Sequence, residues 1–139
     1  MAKRLTEKQR FRRDERRRKK KEKRENRLRP KRELKQRIEA WKLKVIERDN
    51  WTEQMTGKKL LTRKECHPHH IISLQSVLRK YPELLDNINN GILLNYYTHK
   101  AAPNSPHQGG FEFVLWLEKN KPEQYNHLKE FLLIKNVTT

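Results

Sequence analysis

Cysteine and long apolar runs are what this sequence has least of. Its single cysteine, Cys66, excludes an internal disulfide and is compatible with a reducing compartment such as the cytoplasm. No apolar stretch approaches the roughly 18 residues that a membrane span requires. The first residues, MAKRLTEKQR, carry no apolar segment behind their charges, so they do not read as a secretory signal. The sequence therefore predicts a cytoplasmic protein without a membrane anchor.

Acidic residues are also scarce, and the imbalance is concentrated at one end. The chain has 34 Lys and Arg against 17 Asp and Glu, and residues 1–40 hold 20 against 7, a net of +13 out of +17. Such a segment cannot form a packed core and is typical of a segment that contacts a polyanion. DNA is the favoured partner and RNA the weaker one. A membrane surface is disfavoured because no broad apolar face accompanies the charge. A tail that only aids solubility remains the alternative.

Cationic side chains are densest in the middle of this arm, which we define as residues 1–30. Each phosphate that they neutralise would release counterions, so affinity should fall steeply as salt rises. The candidate nucleic-acid contacts are Arg12, Arg13, Arg16, Arg17, Arg18, Lys19, Lys20, Lys21, Lys23 and Arg24.

Pro30 is the first strong punctuation of the chain, and it predicts a helix that starts directly after it and runs from Lys31 to Arg48. The apolar residues that follow it are spaced by four, three and four positions, which places them on one helical face. They are Leu34, Ile38, Trp41 and Val45. We expect the arm to be helix-prone but marginal without a partner. The remaining residues, 31–139, would form one domain.

The rest of the chain predicts a small α+β domain. LLTRKECHPHH reads as an extended segment and ILLNYY as a short strand, with a helix beginning near Thr98. FEFVLWLEKN and PEQYNHLKEFLLIKN read as two C-terminal helices, the second with Pro122 in its first turn. Their predicted core residues are Phe111, Val114, Leu115, Tyr125, Leu128 and Leu132.

Histidine is concentrated in one place: ECHPHHIISL holds three of the six. Side chains alternate across a strand, so His69 and His70 must point to opposite faces. One can then bind a metal while the other faces a substrate. A strand followed by a helix start would bring His99 back beside the first strand. These are the parts of a metal-assisted hydrolysis site, although an HH pair also recurs by chance and can be structural.

The order and spacing of these segments resemble the His-Asn-His (HNH) endonucleases, which have the ββα-metal fold. The resemblance covers about residues 41–125. It lies in WKLKVIERDNWTEQMTGKKL, HHIISL, PELLDNINNGILL and THKAAPNSPHQGGFEFVLWLEKNKPEQY. The last of these is most similar to the small free-standing homing endonucleases of bacteriophages. The resemblance implies an HNH domain flanked by helices, and the cytoplasm of the host cell if the protein is encoded by a phage.

The resemblance also implies a role for each matching residue. His70 would be the general base that activates water, and His69 and His99 would be the metal ligands. Asn90, nine residues before His99, would brace the loop and help to orient the base, although Asn before Gly is also a plain turn pair. His67 and His107 do not fall on the family's metal positions. We expect them to face phosphate or to be incidental, with His107 a weak candidate for a third ligand.

Two departures from the family pattern bear on metals. Many members hold two Cys-x-x-Cys knuckles on a structural zinc, and here those positions are Glu53 and Thr56, then Asn95 and Thr98, so we expect no structural zinc. Some relatives offer a further histidine four residues after the position of His99, and here that residue is Pro103. With two imidazole ligands, we expect a divalent ion, Mg²⁺ or Mn²⁺ first and Zn²⁺ or Ni²⁺ as alternatives.

The leading prediction from the sequence is a metal-dependent HNH endonuclease that hydrolyses DNA phosphodiester bonds, by nicking or by double-strand cleavage. The alternative is a catalytically silent HNH-like nucleic-acid-binding protein, which would have no reason to retain the base and its ligands. An RNA-binding assembly component ranks last because the histidines do not fit it. Phosphate contacts position a protein without specifying sequence, so the arm alone predicts modest specificity. The oligomeric state stays open.

Overall fold

The computed structural model describes residues 5–137 and has a small α+β fold. Its helices are α1 (Glu7–Arg48), α2 (Leu74–Lys80), α3 (Gly110–Asn120) and α4 (Pro122–Val137). Its strands are β1 (His67–His70) and β2 (Gly91–Leu94), with short 3₁₀ turns between them and one π-helical turn at Tyr97–Ala101. The chain divides into two units between Arg37 and Ile38. Among the described residues, no helix is long and apolar enough to span a bilayer.

Helix α1 begins far earlier than the sequence predicts. The expected start at Lys31 is wrong, because the helix runs without interruption from Glu7 through Pro30. Proline removes one backbone hydrogen bond, but the Lys, Arg and Glu residues around it are strong helix formers. The carboxylate of Glu25 also accepts two hydrogen bonds from the guanidinium of Arg32, at 2.9 and 3.3 Å, which tie together the turns on either side of Pro30. The arm is therefore helical from residue 7 onward; residues 1–4 of the predicted arm lie outside the described residues.

The second unit is built around a two-stranded antiparallel sheet. β1 pairs with β2 so that His69 lies opposite Ile92 and His70 lies opposite Gly91. All four residues of β2 are buried, because α1 covers one face of the strand and α3 covers the other. On the α1 face, Leu93 joins a cluster with Trp41, Val45, Ile46, Leu60 and Cys66. The sheet thus gives the two adjacent histidines two different environments.

The predicted core of the C-terminal helices is partly wrong. Phe111 and Leu115 of α3 are exposed, at 73% and 49%, and Val114 is exposed as well. The buried residues of α3 are Phe113 and Leu117, which pack with Ile92 and Leu94 of β2. In α4, Leu128 is buried as expected, while Tyr125 packs against that cluster and Leu132 is half-buried. Contact with β2 therefore determines which face of α3 is buried.

Candidate metal and catalytic centre

Three histidines from three separate segments meet on one face of the sheet. His69 Nδ1 lies 3.1 Å from His99 Nε2, and His107 Nε2 lies 3.1 Å from the same His99 atom. One ligand atom from each ring lies within 4.8 Å of the other two. Imidazole nitrogens about 2.0–2.1 Å from a tetrahedral Zn²⁺ would be roughly 3.3 Å apart. The cluster is therefore close enough to hold one metal ion.

His99 is held by a turn that directly follows β2. Asn95 Oδ1 accepts hydrogen bonds from the N–H and the hydroxyl of Thr98, at 2.9 and 3.0 Å. The Asn95 N–H in turn donates to the Thr98 hydroxyl oxygen, and the His99 N–H donates to the Asn95 carbonyl at 2.9 Å. Thr98 is buried, so the turn is anchored in the domain. These bonds fix where the ring of His99 can lie.

His107 is brought to the cluster by a folded connector between the π-helical turn and α3. The buried Ser105 accepts from the Gln108 N–H through its hydroxyl, at 3.1 Å, and from the Gly109 N–H through its carbonyl, at 2.8 Å. A Cβ on Gly109 would lie 2.1 Å from the carbonyl oxygen of Pro103, so only glycine permits this approach. The connector therefore closes on itself with His107 at its bend. The sequence predicts His107 only as a weak candidate for a third ligand, and the structure places it in the cluster.

His70 lies on the opposite face of β1, against α1. Its ring stacks on Trp41 with the centroids 3.9 Å apart and the planes 7° from parallel. Gly91 makes this possible, because it lies opposite His70 in the ladder and has no side chain to hold Trp41 away. The indole N–H of Trp41 donates to the Asn87 carbonyl at 2.9 Å, which fixes the ring in turn. His70 thus has a rigid support, and its Nε2 is buried with no hydrogen-bond partner.

Replacing Gly91 by alanine tests this support. The new Cβ would lie 2.5 Å from Trp41 Cζ2 and 2.6 Å from Val45 Cγ2, so the indole ring must move. Overpacking of this kind costs about 1–3 kcal/mol. Urea unfolding should show that loss for Gly91→Ala, whereas Gly110→Ala should cause none, because a Cβ there meets nothing within 4 Å. Equal stability of the two variants would contradict the close packing of Gly91 on Trp41.

Asn90 is fully buried, directly precedes β2 and bonds to the segment that follows β1. Its Oδ1 accepts from the Ile72 N–H at 2.6 Å, and its Nδ2 donates to the Ile72 carbonyl at 3.0 Å. The Asn90 carbonyl also accepts from the Ile71 N–H at 3.1 Å. Both polar atoms of the side chain are therefore committed to the backbone two residues after His70. Asn90 thus holds the backbone that directly follows His70, and its side chain bonds to Ile72 instead of to the imidazole.

Burial makes the central imidazoles weak bases. It lowers the pKa of His69 to about 3, with the neighbouring rings of His99 and His107 adding to the effect. Burial also lowers the pKa of His70 to about 4, helped by Lys42, and that of His99 to about 4, helped by His107. These rings are neutral at pH 7, and neutral imidazole is the form that binds a metal or accepts a proton.

The two segments in which the sequence resemblance predicts zinc knuckles in other proteins are hydrogen-bonded turns here. The buried carboxylate of Glu53 accepts from the N–H groups of Met55 and Thr56, each at 2.8 Å, and from the Thr56 hydroxyl. The Gln54 N–H donates to the Leu93 carbonyl at 3.0 Å, which attaches this turn to β2. The second position is the Asn95–Thr98 turn that holds His99. Each turn is closed by its own side chains.

The ten predicted nucleic-acid contacts, Arg12 to Arg24, all lie on exposed positions of α1 in the first unit. Few of them are neutralised nearby: Lys19 pairs with Glu15 at 3.0 Å, and Arg13 lies 3.8 Å from Asp14. The helix therefore presents a dense array of cations to solvent.

The second unit therefore holds three histidines close enough to bind a metal ion, and a fourth histidine, His70, directly follows His69 in β1. No family model, no curated protein and no solved structure matches this chain.

Proposed function

We propose that this protein is a metal-dependent endonuclease of the HNH type, acting on DNA through a ββα-metal site formed by β1, β2 and the π-helical turn. One observation carries the proposal. His69 and His70 are consecutive but face apart. His69 belongs to the cluster of three imidazoles, whereas the ring of His70 stacks on Trp41 and is neutral. A hydrolase needs an ion site and a base that both reach one phosphate. Neighbouring residues of one strand can supply the two groups close together without both contacting the ion.

His70 would act as the general base. It would take a proton from the water whose oxygen forms the new bond to phosphorus, while the bond from phosphorus to the 3′ oxygen breaks. The leaving oxygen takes a proton from solvent, and His70 returns its own to solvent, so the products are a 5′ phosphate and a 3′ hydroxyl. A divalent ion, when bound, would supply charge stabilisation at the leaving 3′ oxygen. His69, His99 and His107 would hold that ion, and Asn90 would keep the strand that bears His70 in place.

The donor set indicates which ion to expect. Magnesium prefers oxygen ligands, whereas imidazole suits Zn²⁺, Ni²⁺ and the other transition metals. With His107 as a third imidazole, the site favours Mn²⁺, Ni²⁺ or Zn²⁺ over Mg²⁺. This order differs from the one that two histidine ligands suggest, in which Mg²⁺ stands with Mn²⁺ at the front.

The basic helix supports DNA as the substrate. Exposed Arg and Lys side chains on α1 would contact phosphates without reading bases, so they would raise affinity for any DNA. The proposed enzyme is then of modest sequence specificity. The same helix would also suit a binding protein without activity, so only cleavage of DNA distinguishes the two functions.

Plasmid cleavage tests the proposal. Purified protein is incubated with supercoiled DNA in EDTA, or with Mg²⁺, Mn²⁺, Ni²⁺ or Zn²⁺ added to metal-free protein. We expect nicked or linear product only with an added ion, with Mn²⁺ or Ni²⁺ faster than Mg²⁺, and with religatable 5′-phosphate ends. Salt-sensitive DNA binding with no cleavage under any ion would overturn the enzyme and leave the silent HNH-like binding protein.

A further inference from the structure

Two shallow hollows lie beside the histidine cluster, on the side of His99 that faces His67. One, of about 510 Å³, is lined by Lys42, Arg63 and Lys64 together with His67 and His99. The other, of about 290 Å³, shares Lys64 and His67 and continues to Lys58, Tyr96 and Tyr97. We call these two hollows the flanking surface. The flanking surface begins at His99, a member of the histidine cluster. A ligand bound there would therefore lie next to the phosphate that reacts at the proposed site.

The flanking surface is cationic. Lys42, Lys58, Arg63 and Lys64 line it, and Lys100 lies close enough to act on the charge of His67. Among the described residues that line this surface or pair with its cations, two carboxylates oppose these five positive charges. Glu39 pairs with Lys42 at 3.2 Å and with Arg63 at 3.6 Å, whereas Glu65 is turned to the backbone, accepting from the Leu61 and Thr62 N–H groups. A net positive charge of three remains, which suits a phosphate backbone.

Two adjacent tyrosines distinguish this surface from a plain basic patch. Tyr96 is 62% exposed and Tyr97 is 59% exposed, although both follow the most deeply buried strand of the domain. The ring of Tyr96 meets His67 edge-on at 6.0 Å, and His67 in turn lies 5.7 Å from the ring of His99. The rings of Tyr96, His67 and His99 therefore form a row from solvent to the histidine cluster. Exposed tyrosine rings beside lysines are the pattern of a stacking platform for nucleic-acid bases.

We propose that the flanking surface binds an unpaired nucleotide of DNA next to the scissile phosphate. Lysines and Arg63 would hold its phosphates, and Tyr96 or Tyr97 would stack on its base. The inference rests on the proposed function and specifies its substrate class: single-stranded, bulged or otherwise distorted DNA in preference to perfect duplex.

The preference for unpaired bases follows from the chemistry of stacking. Within a duplex, each base already has a neighbour on both faces, so a tyrosine ring finds no free face without the energetic cost of unstacking. A base in a single strand or bulge carries little or none of that cost. Lysine contacts do not distinguish the two forms in this way, because both present phosphates. The tyrosines are therefore the residues that set the preference.

Binding in EDTA isolates this property from cleavage. Fluorescence anisotropy is measured with a labelled single strand, with its duplex and with the same duplex carrying a central bulge. The full chain is compared with Tyr96→Ala, Tyr97→Ala and the double variant. Phe111→Ala is the matched control, since Phe111 is a 73% exposed aromatic residue that lines neither hollow. The ratio of duplex to bulged-duplex Kd is the readout, because the basic helix contributes to both affinities.

We expect the bulged duplex and the single strand to bind more tightly than the duplex. The double variant should reduce that ratio about fivefold or more, as expected when a base–aromatic stack is lost, and Phe111→Ala should leave it unchanged. A bulge carrying 2-aminopurine should show fluorescence quenching that depends on the tyrosines. Equal affinity for all three DNAs, or a ratio that survives the double variant, would overturn the inference even if metal-dependent cleavage persists.

The cleavage reaction separates this result from the fate of the nuclease. If the tyrosine-dependent ratio is present but no ion supports cleavage, the flanking surface stands as a binding site and the endonuclease falls. If an RNA strand of the same sequence binds more tightly than the DNA strand, with the same dependence on Tyr96 and Tyr97, the assignment to DNA is overturned.

Discussion

His70→Ala should lower the rate of metal-dependent plasmid cleavage by about 10²- to 10⁴-fold, the contribution that a positioned general base makes. The reason is local. His70 is the imidazole that β1 directs away from the three-histidine cluster. Its pKa is lowered to about 4 by burial, so the ring is unprotonated at neutral pH, the form in which a general base must start. Nicking rates would be measured under saturating DNA and ion, with DNA affinity measured separately in EDTA. Affinity should change little, because the basic helix is intact.

Truncation of His70 also removes a stacking partner of Trp41, so stability must be controlled. His70→Phe retains a ring at that position without nitrogens and should be as inactive as His70→Ala while losing less stability. His127→Ala, an exposed histidine on α4, should keep full activity. Activity of His70→Phe close to that of the unaltered protein would refute the role of His70 as the base.

Metal affinity should depend most on His99. Its Nε2 lies 3.1 Å from both His69 Nδ1 and His107 Nε2, so this ring stands at the centre of the cluster. Loss of an outer-shell partner costs 10- to 100-fold in metal affinity, and loss of a direct ligand should cost at least the upper end of that range. Calorimetric titration of metal-free His99→Ala with Ni²⁺ or Mn²⁺ measures this without any substrate. Cleavage should fall in parallel.

His107→Ala decides whether the third imidazole is a ligand. If it is, Ni²⁺ affinity should fall by about tenfold or more, and the relative activity with Mg²⁺ should rise. His127→Ala again serves as the control. Unchanged affinity in His107→Ala would reduce the site to His69 and His99, the pair that the sequence indicates.

The sheet and its two histidine environments follow from local rules of the sequence. Alternation across a strand requires His69 and His70 to face apart, and the structure has them on opposite faces of β1. Pro122 marks the start of α4 because proline is well tolerated in the first turn of a helix. The predicted stripe of α1 is also present where it meets the domain, with Trp41 and Val45 buried. The spacing of residues close together in the sequence is enough to predict these features.

Tertiary contacts decided what the sequence could not predict. In FEFVLWLEKN nearly every early position is apolar, so periodicity selects no face of α3, and contact with Ile92 and Leu94 determines which residues are buried. His107 approaches His99 only because the connector folds around Ser105 and Gly109, and no periodic signal encodes such a loop. The sequence does not predict the early start of α1, because Pro30 is typical of a helix boundary. The Glu25–Arg32 pair that bridges Pro30 joins residues seven positions apart, about two helical turns.

The side-chain closure of the Glu53 and Asn95 turns has a practical and biological consequence. In domains whose knuckles are closed by an ion, folding and ion supply are thermodynamically linked, and chelators denature the protein. Here carboxylate and amide oxygens close both turns from within the chain. Closure of this kind needs no ion, so we expect the domain to fold in metal-free medium. If the histidine cluster holds the proposed ion, chelation should then remove that ion reversibly, without unfolding the domain.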